Sequence, residues 1–498
     1  MLKNVIPEKV GIRAKEVHKF LYSFEKRKLH LHSLILMKGE DIFLESYWAP
    51  FTKETPHRMY SVTKSFVSVA VGLAEEDGLL DINRPIIEYF PEKIEGEVCE
   101  ALKKQTVRDM LTMTTVGPCT SWFKAGDPDR THLYFKDRAQ CRTPGTVWQY
   151  DSSGSQVLCN LVEKVTGKSL FDYLNERIFV HLGAFKNAKM LKTPNGVSWG
   201  DSAMICTPRD LAIFARFVMN YGTYGGKRLM NEAYLKKATS AVVDNSRSGH
   251  KVMFEHGYGY QFWRTENNGF AFVGMGNQLA ICLPDKDLIM VCTGDMQGNQ
   301  FARDYIAAQL MDIIYDNMCD AAIAVDTDTN QEPLICSFPL FSAKGKADSP
   351  FRSELDGITY KCIDNPLGWQ DFRFEFEDGS GGKLIYTKSG RKKELPFYVN
   401  KNIFGIFPEE GYSKEYGGMR TTDGHKYKDA VSFAWLEEKR IQIFVQIIDD
   451  YFGNLALFFG FRDDKATVTA VKAAEDFLWD YAGEAIAERV NGKVKKSF

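Results

Sequence analysis

Residues 61–78 read SVTKSFVSVAVGLAEEDG, and this stretch decides how the rest of the chain is interpreted. Phe66, Val69 and Leu73 recur at a spacing of three and four, which places them on one side of an amphipathic helix. Gly78 follows an acidic run and supplies a stop for that helix. The stretch therefore predicts a central, largely buried helix that begins at the serine.

Ser61 and Lys64 stand three residues apart at the start of this helix, so their side chains share a face. A serine hydroxyl is a poor nucleophile at neutral pH, but a lysine amine held neutral by burial can remove its proton. The helix N-terminus adds partial positive charge near the oxygen that becomes negative during attack. The pair predicts a nucleophilic serine, although a lone S-x-x-K is common by chance and needs context.

Tyr150 supplies that context, in the turn-rich segment 144–158, PGTVWQYDSSGSQVL. It lies just before a predicted helix, and a tyrosine oxygen beside a cationic lysine can shuttle protons as a general acid or base. For an isolated tyrosine, packing in a loop would be the better interpretation. Together with Ser61 and Lys64, Tyr150 is a candidate catalytic residue.

The segments around these motifs predict one α+β domain over residues 1–325. A helix at 14–27 and a hairpin at 31–48 open it, and residues 80–200 alternate short helices with loops. A further helix begins at Thr207, which can cap it. Returning strands and a closing helix are expected at 257–263, 269–274, 278–284, 288–294 and 301–318.

A second domain is expected because 498 residues exceed one ordinary core. Residues 326–350 mix acidic, proline and small polar residues, which is typical of a linker. Over 351–498, period-two alternation broken by Asp-Gly or charged turns predicts a mostly antiparallel β domain. The stretch 473–490, AAEDFLWDYAGEAIAERV, is expected to be a helix within it.

The first domain resembles the serine β-lactamase and penicillin-recognising superfamily, nearest to its class C β-lactamase-like esterases and amidases. The stretches that carry the resemblance occur in the family's order, at 59–81, 106–115, 144–170, 207–230 and 257–263. The resemblance implies a β-lactamase-like fold, with an antiparallel sheet, flanking helices and a mainly helical subdomain. It also implies that Ser61 is acylated while Lys64 and Tyr150 handle protons.

The resemblance further implies a substrate pocket completed by a third motif, here Phe272-Val273-Gly274. Gly274 would line that pocket, and the backbone N–H groups of Met275 and Ser61 would form an oxyanion hole. Phe272 stands where β-lactamases carry lysine or histidine, which disfavours recognition of a penicillin carboxylate. An uncharged ester or amide is the better fit.

Two more positions near the implied pocket depart from the family or add to it. Ser152 stands where the family often has asparagine and is a candidate substrate-binding residue, with Asp151 before it expected to add negative charge at the rim. Trp122 is a candidate substrate contact, and ordinary core packing is its alternative. The C-terminal domain is compared with the lipocalin-like appendages that similar hydrolases carry.

Composition and charge limit the partners. With 63 Lys+Arg against 65 Asp+Glu, the formal charge of -2 favours neither nucleic acid nor an anionic membrane. The N-terminus carries charges and a proline where a secretory signal needs an apolar core, and the ten cysteines include no C-x-x-C pair. We expect a cytoplasmic protein with a small-molecule substrate, and a homo-oligomer is compatible with the sequence.

No cofactor and no metal site is expected from the sequence. His30 and His32 alternate with leucines on a strand, and two candidate ligands without a third are more readily interpreted as structural histidines. The predicted activity is that of a serine hydrolase, a carboxylesterase or amidase. Two alternatives stay open: a catalytically silent binding or assembly protein on the same fold, and a D-amino-acid peptidase or β-lactamase-like amidase.

Overall fold

The computed structural model of the chain describes residues 2–119, 127–136, 141–246, 254–299, 301–325, 332–418, 423–474, 478 and 480–490. The chain divides into two compact units, Met1–Pro339 with Glu415–Gly418, and Leu340–Lys414 with Met419–Phe498. Within the described ranges, no helix is long and apolar enough to cross a bilayer. The predicted α+β fold class is confirmed.

The first unit is built on an eight-stranded sheet with the order β1-β3-β2-β12-β11-β10-β9, and β13 pairs with β3. Its central strands are antiparallel, whereas β1 and β13 run parallel to β3. The strands of this unit are β1 Lys3–Asn4, β2 Leu31–Lys38, β3 Asp41–Ala49, β4 His57–Arg58, β5 Lys189–Met190, β6 Met204–Cys206, β7 Thr223–Tyr224, β8 Lys227–Arg228, β9 Trp263–Arg264, β10 Phe270–Gly274, β11 Gln278–Leu283, β12 Leu288–Gly294 and β13 Leu334–Pro339.

Helices cover both faces of this sheet. The helices of the first unit are α1 Ala14–Lys26, α2 Thr63–Glu76, α3 Glu100–Lys104, α4 Val107–Leu111, α5 Arg130–Phe135, α6 Ser152–Thr166, α7 Leu170–Leu174, α8 Val180–Leu182, α9 Pro208–Met219, α10 Glu232–Ala238 and α11 Ala302–Gln309. Strand alternation sends Ile35 into the core with α2 and α9, and Leu34 into the core with α1 and α11. The predicted capping of α9 is confirmed, since the Thr207 side chain accepts from the Asp210 N–H.

Two stretches outside residues 1–325 also belong to the first unit. The predicted linker range 326–350 contains strand β13, which extends the first sheet. The segment Glu415–Gly418 also belongs to this unit, because the Gly417 N–H donates to the Lys192 carbonyl at 2.8 Å. The carbonyl of Gly417 in turn accepts a hydrogen bond from Arg130 Nη2 at 3.2 Å.

The second unit is a ten-stranded antiparallel sheet with the order β17-β16-β15-β14-β23-β22-β21-β20-β19-β18. Alternate side chains are buried along β17, β22 and β23, as the period-two pattern predicts, whereas β19 and β20 are buried on both faces over much of their length. Its elements are α12 Arg352–Leu355, β14 Thr359–Cys362, β15 Trp369–Phe376, β16 Gly381–Lys388, β17 Arg391–Tyr398, β18 Ile403–Glu410, β19 Lys426–Glu437, β20 Arg440–Ile448, β21 Phe452–Arg462, β22 Lys465–Ala474 and β23 Gly483–Arg489.

The helix expected over 473–490 is wrong where the structure describes it. Gly483–Arg489 forms β23, which pairs with both β22 and β14. Ala485 and Ala487 face the core while Ile486 between them is exposed, a period of two. The helix-forming composition of this stretch is overridden because two neighbouring strands offer it hydrogen-bond partners.

A buried histidine pair joins β2 to β4 in the first unit. His32 Nδ1 lies 2.9 Å from His57 Nε2, and His57 Nδ1 lies 2.9 Å from the Arg58 carbonyl oxygen. Because a carbonyl only accepts, neutral His57 carries its proton on Nδ1 and its Nε2 accepts from His32. Burial lowers the pKa of His57 to about 3, and burial followed by the charge of His57 lowers that of His32.

This pair predicts acid sensitivity of the fold. Below pH 6.5 the two histidines bind protons in the unfolded protein but stay neutral in the folded protein. The free energy of unfolding therefore falls as the pH drops towards about 3. Between pH 7 and pH 5 we expect a loss of about 2 kcal/mol from His57, with a further loss in the same direction from His32. Urea unfolding of the wild type and of His57→Gln measures this, and equal pH slopes for the two proteins would contradict it.

Candidate active site

Ser61 lies in a single 3-10 turn, Tyr60–Val62, that leads directly into α2. The residue before it, Tyr60, has a left-handed backbone with φ of 47°, a conformation that costs energy for a side chain of this size. Packing holds it there, because the Arg58 guanidinium stacks 4.4 Å above the buried Tyr60 ring. The nucleophile candidate therefore stands on a sharp, constrained bend.

Lys64 follows on the first turn of α2 and reaches back to the serine. Its Nζ donates to Ser61 Oγ at 2.9 Å and to the main-chain carbonyl of Asp201 at 2.8 Å. The lysine is 1% exposed. The structure thus brings together the two residues that the S-x-x-K spacing singles out, with the lysine nitrogen at hydrogen-bond distance from the serine hydroxyl.

Tyr150 lies beside this pair. Lys64 Nζ is 5.0 Å from the centroid of its ring. Aromatic side chains pack against Tyr150. Its ring stacks on Trp263 with 5.8 Å between the ring centroids, and Trp148 meets Trp263 edge-on at 5.5 Å. The three candidate catalytic side chains therefore converge on one place, as the sequence predicts from residues far apart in the chain.

Asp151 corrects one expectation about the rim. It is 1% exposed and serves as the N-cap of α6, where its Oδ1 accepts from the Gly154 N–H at 2.9 Å. Its Oδ2 accepts from Thr115 at 2.7 Å. Asp151 is therefore not a rim residue, because its carboxylate is buried beneath the helix N-terminus and the Thr115 hydroxyl that donate to it. Ser152, the candidate substrate-binding residue, is the half-buried first residue of α6.

The third motif ends β10 close to the nucleophile. A Cβ on Gly274 would stand 2.4 Å from the Met59 carbonyl oxygen and 3.0 Å from the Gln278 Cβ. Only glycine allows this approach of β10 to the backbone that precedes Ser61. The turn that follows presents Met275, which is 38% exposed.

Gln278, which the sequence did not single out, holds that turn. Its Nε2 donates to the Met275 carbonyl at 2.9 Å and to the Gly294 carbonyl at 2.7 Å, and its Oε1 accepts from the Gly294 N–H at 3.1 Å. The side chain is fully buried, so these bonds have no competition from water. The orientation of the Met275 backbone is therefore determined by a residue of the next strand.

Replacing Gly274 by alanine is expected to lower acylation of Ser61 about a hundredfold, since a displaced oxyanion donor costs roughly 3 kcal/mol. The added methyl must push β10 away from Met59. Labelling rates with a serine-directed phosphonate measure the effect. Gly460→Ala, whose Cβ would meet no atom within 4 Å, is the matched control. Equal rates for the two variants would contradict the close-approach argument.

Two of the predicted substrate contacts, Phe272 and Trp122, are not placed at the candidate site by the structure. The Phe272 side chain is 0% exposed and packs edge-to-face on Phe262 and Phe214 at 5.1 and 6.1 Å. Because strand alternation directs it into the helical core, its ring does not face an open cleft, which corrects the role expected of it. Trp122 lies outside the described residues.

Asp201 is a second residue of the site that the sequence did not single out. It is 4% exposed, and its Oδ2 lies 3.9 Å from Lys64 Nζ. Burial raises the pKa of Asp201, while the charges of Lys64, Arg130 and Arg58 act in the opposite direction. An aspartate in a polar loop is too ordinary to signal such a role, because nothing local shows which lysine it will meet.

Within the parts of the chain that the structure describes, no group of three or more His, Cys, Asp or Glu side chains is arranged to hold a metal ion.

Comparison with known proteins identifies the family of the first unit. The family model described as Beta-lactamase matches residues 28–310. The 6-aminohexanoate-dimer hydrolase of Paenarthrobacter ureafaciens is 26% identical over 266 residues, which span 49% of this chain and 67% of that protein. A D-aminopeptidase of Brucella anthropi is 23% identical over 46% of this chain and 52% of its own length.

Solved structures share the fold of the first unit. A putative beta-lactamase from Bacteroides dorei superposes with a TM-score of 0.52 at 16% identity, over 61% of this chain and 99% of that one. A penicillin-binding protein homologue from Caulobacter crescentus gives 0.51 at 16% identity, over 64% of this chain and 99% of that chain.

Proposed function

The chain belongs to the beta-lactamase family, and from this premise we propose that it is a serine hydrolase that cleaves a small ester or amide through an acyl-enzyme on Ser61. The observation that carries the proposal is the 2.9 Å hydrogen bond from buried Lys64 to Ser61 Oγ, beside Tyr150. A scaffold has no structural need for a buried lysine aimed at a serine on a constrained bend.

The proposed reaction runs in two steps. Lys64 in its neutral amine form, helped by Tyr150, takes the proton of Ser61 while Oγ attacks the substrate carbonyl carbon. The Ser61 and Met275 N–H groups would stabilise the oxyanion. The C–O or C–N bond then breaks as the leaving group receives the proton through Tyr150. A water molecule activated by the same pair attacks the acyl-enzyme, which releases the acid and restores the Ser61 hydroxyl.

An amide substrate has support beside an ester. The names of two relatives, 6-aminohexanoate-dimer hydrolase and D-aminopeptidase, describe amide hydrolases. A penicillin-type substrate has less support, because a phenylalanine, Phe272, occupies the position of the cation that would meet its carboxylate, and its ring is buried in the core.

The experiment is intact-protein mass spectrometry after exposure to a fluorophosphonate, followed by turnover of short-chain p-nitrophenyl esters, linear amides, D-amino-acid amides and a chromogenic cephalosporin. A single adduct with turnover of esters or linear amides supports the proposal. Turnover of only the last two classes supports the peptidase or β-lactamase alternative. A protein that is neither labelled nor active on any of them is the silent binding protein.

A further inference from the structure

Asp201 is a buried carboxylate that the proposed reaction does not use. Its main-chain carbonyl accepts from Lys64 Nζ at 2.8 Å, and its Oδ2 lies 3.9 Å from the same nitrogen. The two side chains are 6% and 2% exposed. One residue therefore meets the lysine nitrogen twice, through its main-chain carbonyl and through its carboxylate.

The charged groups around this carboxylate come from several elements. Lys64 from α2, Arg58 from β4 and Arg130 from α5 all act on it, and the two guanidinium groups stack 4.7 and 4.6 Å from the Trp199 ring. Further titratable groups in these surroundings are Tyr150, whose ring lies near Lys64, and the buried Cys159 thiol on α6, on which both Asp201 and Glu163 act. Among these groups, Asp201 is the counter-charge to three cations.

Resting on the proposed function, we propose that Asp201 is a positioning residue whose ionised carboxylate and main-chain carbonyl hold the Lys64 ammonium towards Ser61 Oγ in the resting enzyme. An opposite charge at this distance favours the protonated amine. The carboxylate thereby sets the pH above which the lysine can accept the serine proton. Asp201 itself neither takes nor gives a proton in the proposed reaction.

The test is the pH dependence of fluorophosphonate labelling of Ser61, from pH 5 to 10, in wild type and Asp201→Asn. The asparagine keeps the size and the main-chain carbonyl but removes the charge. We expect the acid limb of the labelling rate to move to lower pH by about 1 to 3 units. The plateau rate at high pH is expected to stay within about tenfold of wild type, which a misfolded site would not allow.

Glu163→Gln is the matched control. This carboxylate also lies in the first unit and accepts from the Leu170 and Ser198 N–H groups at 2.8 and 3.3 Å, but it makes no contact with Lys64. Its variant is expected to keep the wild-type midpoint. If Asp201→Asn does not fold, Asp201→Ser removes the same charge with a smaller side chain, and the same shift is expected.

Two results overturn the inference: a folded Asp201 variant with an unchanged midpoint, or one with a midpoint moved to higher pH. Both leave the proposed function standing, because wild type would still be labelled at Ser61. Absence of labelling in wild type at every pH would remove the proposed function itself, and the inference with it.

Discussion

Replacing Ser61 by alanine is expected to abolish the fluorophosphonate adduct and to lower turnover of the best ester or amide substrate about a thousandfold or more. The reason is that Oγ is the atom that forms the acyl bond in the proposed reaction, and a methyl group offers nothing in its place. Intact-protein mass spectrometry and initial rates, measured side by side on the two proteins, test this.

The control for that variant is Ser65→Ala, one turn further along α2. Its Oγ donates to the Gln261 carbonyl at 2.9 Å, so the substitution removes a buried hydrogen bond worth about 1 kcal/mol of stability but no reacting atom. Labelling and turnover are expected to survive in Ser65→Ala. An adduct that persists in Ser61→Ala would place the nucleophile elsewhere.

Lys64→Met is expected to lower labelling and turnover by about a thousandfold, because a thioether of similar length cannot take the serine proton. It is also expected to lower the free energy of unfolding, but by less than the ~3–5 kcal/mol of leaving a buried charge unpaired, since Arg58 and Arg130 still act on the Asp201 carboxylate. Thermal unfolding and labelling rates measure the two losses separately.

The double variant Lys64→Met with Asp201→Asn separates the contribution of Lys64 to the stability of the fold from its contribution to proton transfer. It removes both charges of the buried pair, so much of the lost stability is expected to return. Labelling is expected to remain as low as in Lys64→Met alone. Recovery of labelling together with stability would mean that Lys64 supports the fold and takes no part in proton transfer.

Local pattern was sufficient for most of the architecture. The hairpin of β2 and β3, the helix α2 and the cap of α9 follow from spacing and from Thr207, and the structure confirms them. The secondary structure at the end of the second domain could not be predicted from local pattern. There, alternation in Gly483–Arg489 competed with helix-forming composition, and pairing with β22 and β14 decided for a strand.

The candidate site divides in the same way. Tertiary contacts, which no local pattern reports, buried the Phe272 ring among helices and placed the Asp151 carboxylate against Thr115. They also brought Gln278 under the turn at Met275. These outcomes depend on which elements pack together, so a residue type and its neighbours in sequence could not distinguish a rim or pocket position from a buried one.

The sequence by itself determined the pair Ser61 and Lys64, because residues three positions apart at the start of a helix lie on the same face. It also determined the fold class, because hydrophobic period follows secondary structure. Only the tertiary structure decided what the lysine meets. Asp201 lies 137 residues further along the chain from Lys64, and a contact between residues so far apart is set by packing, not by spacing.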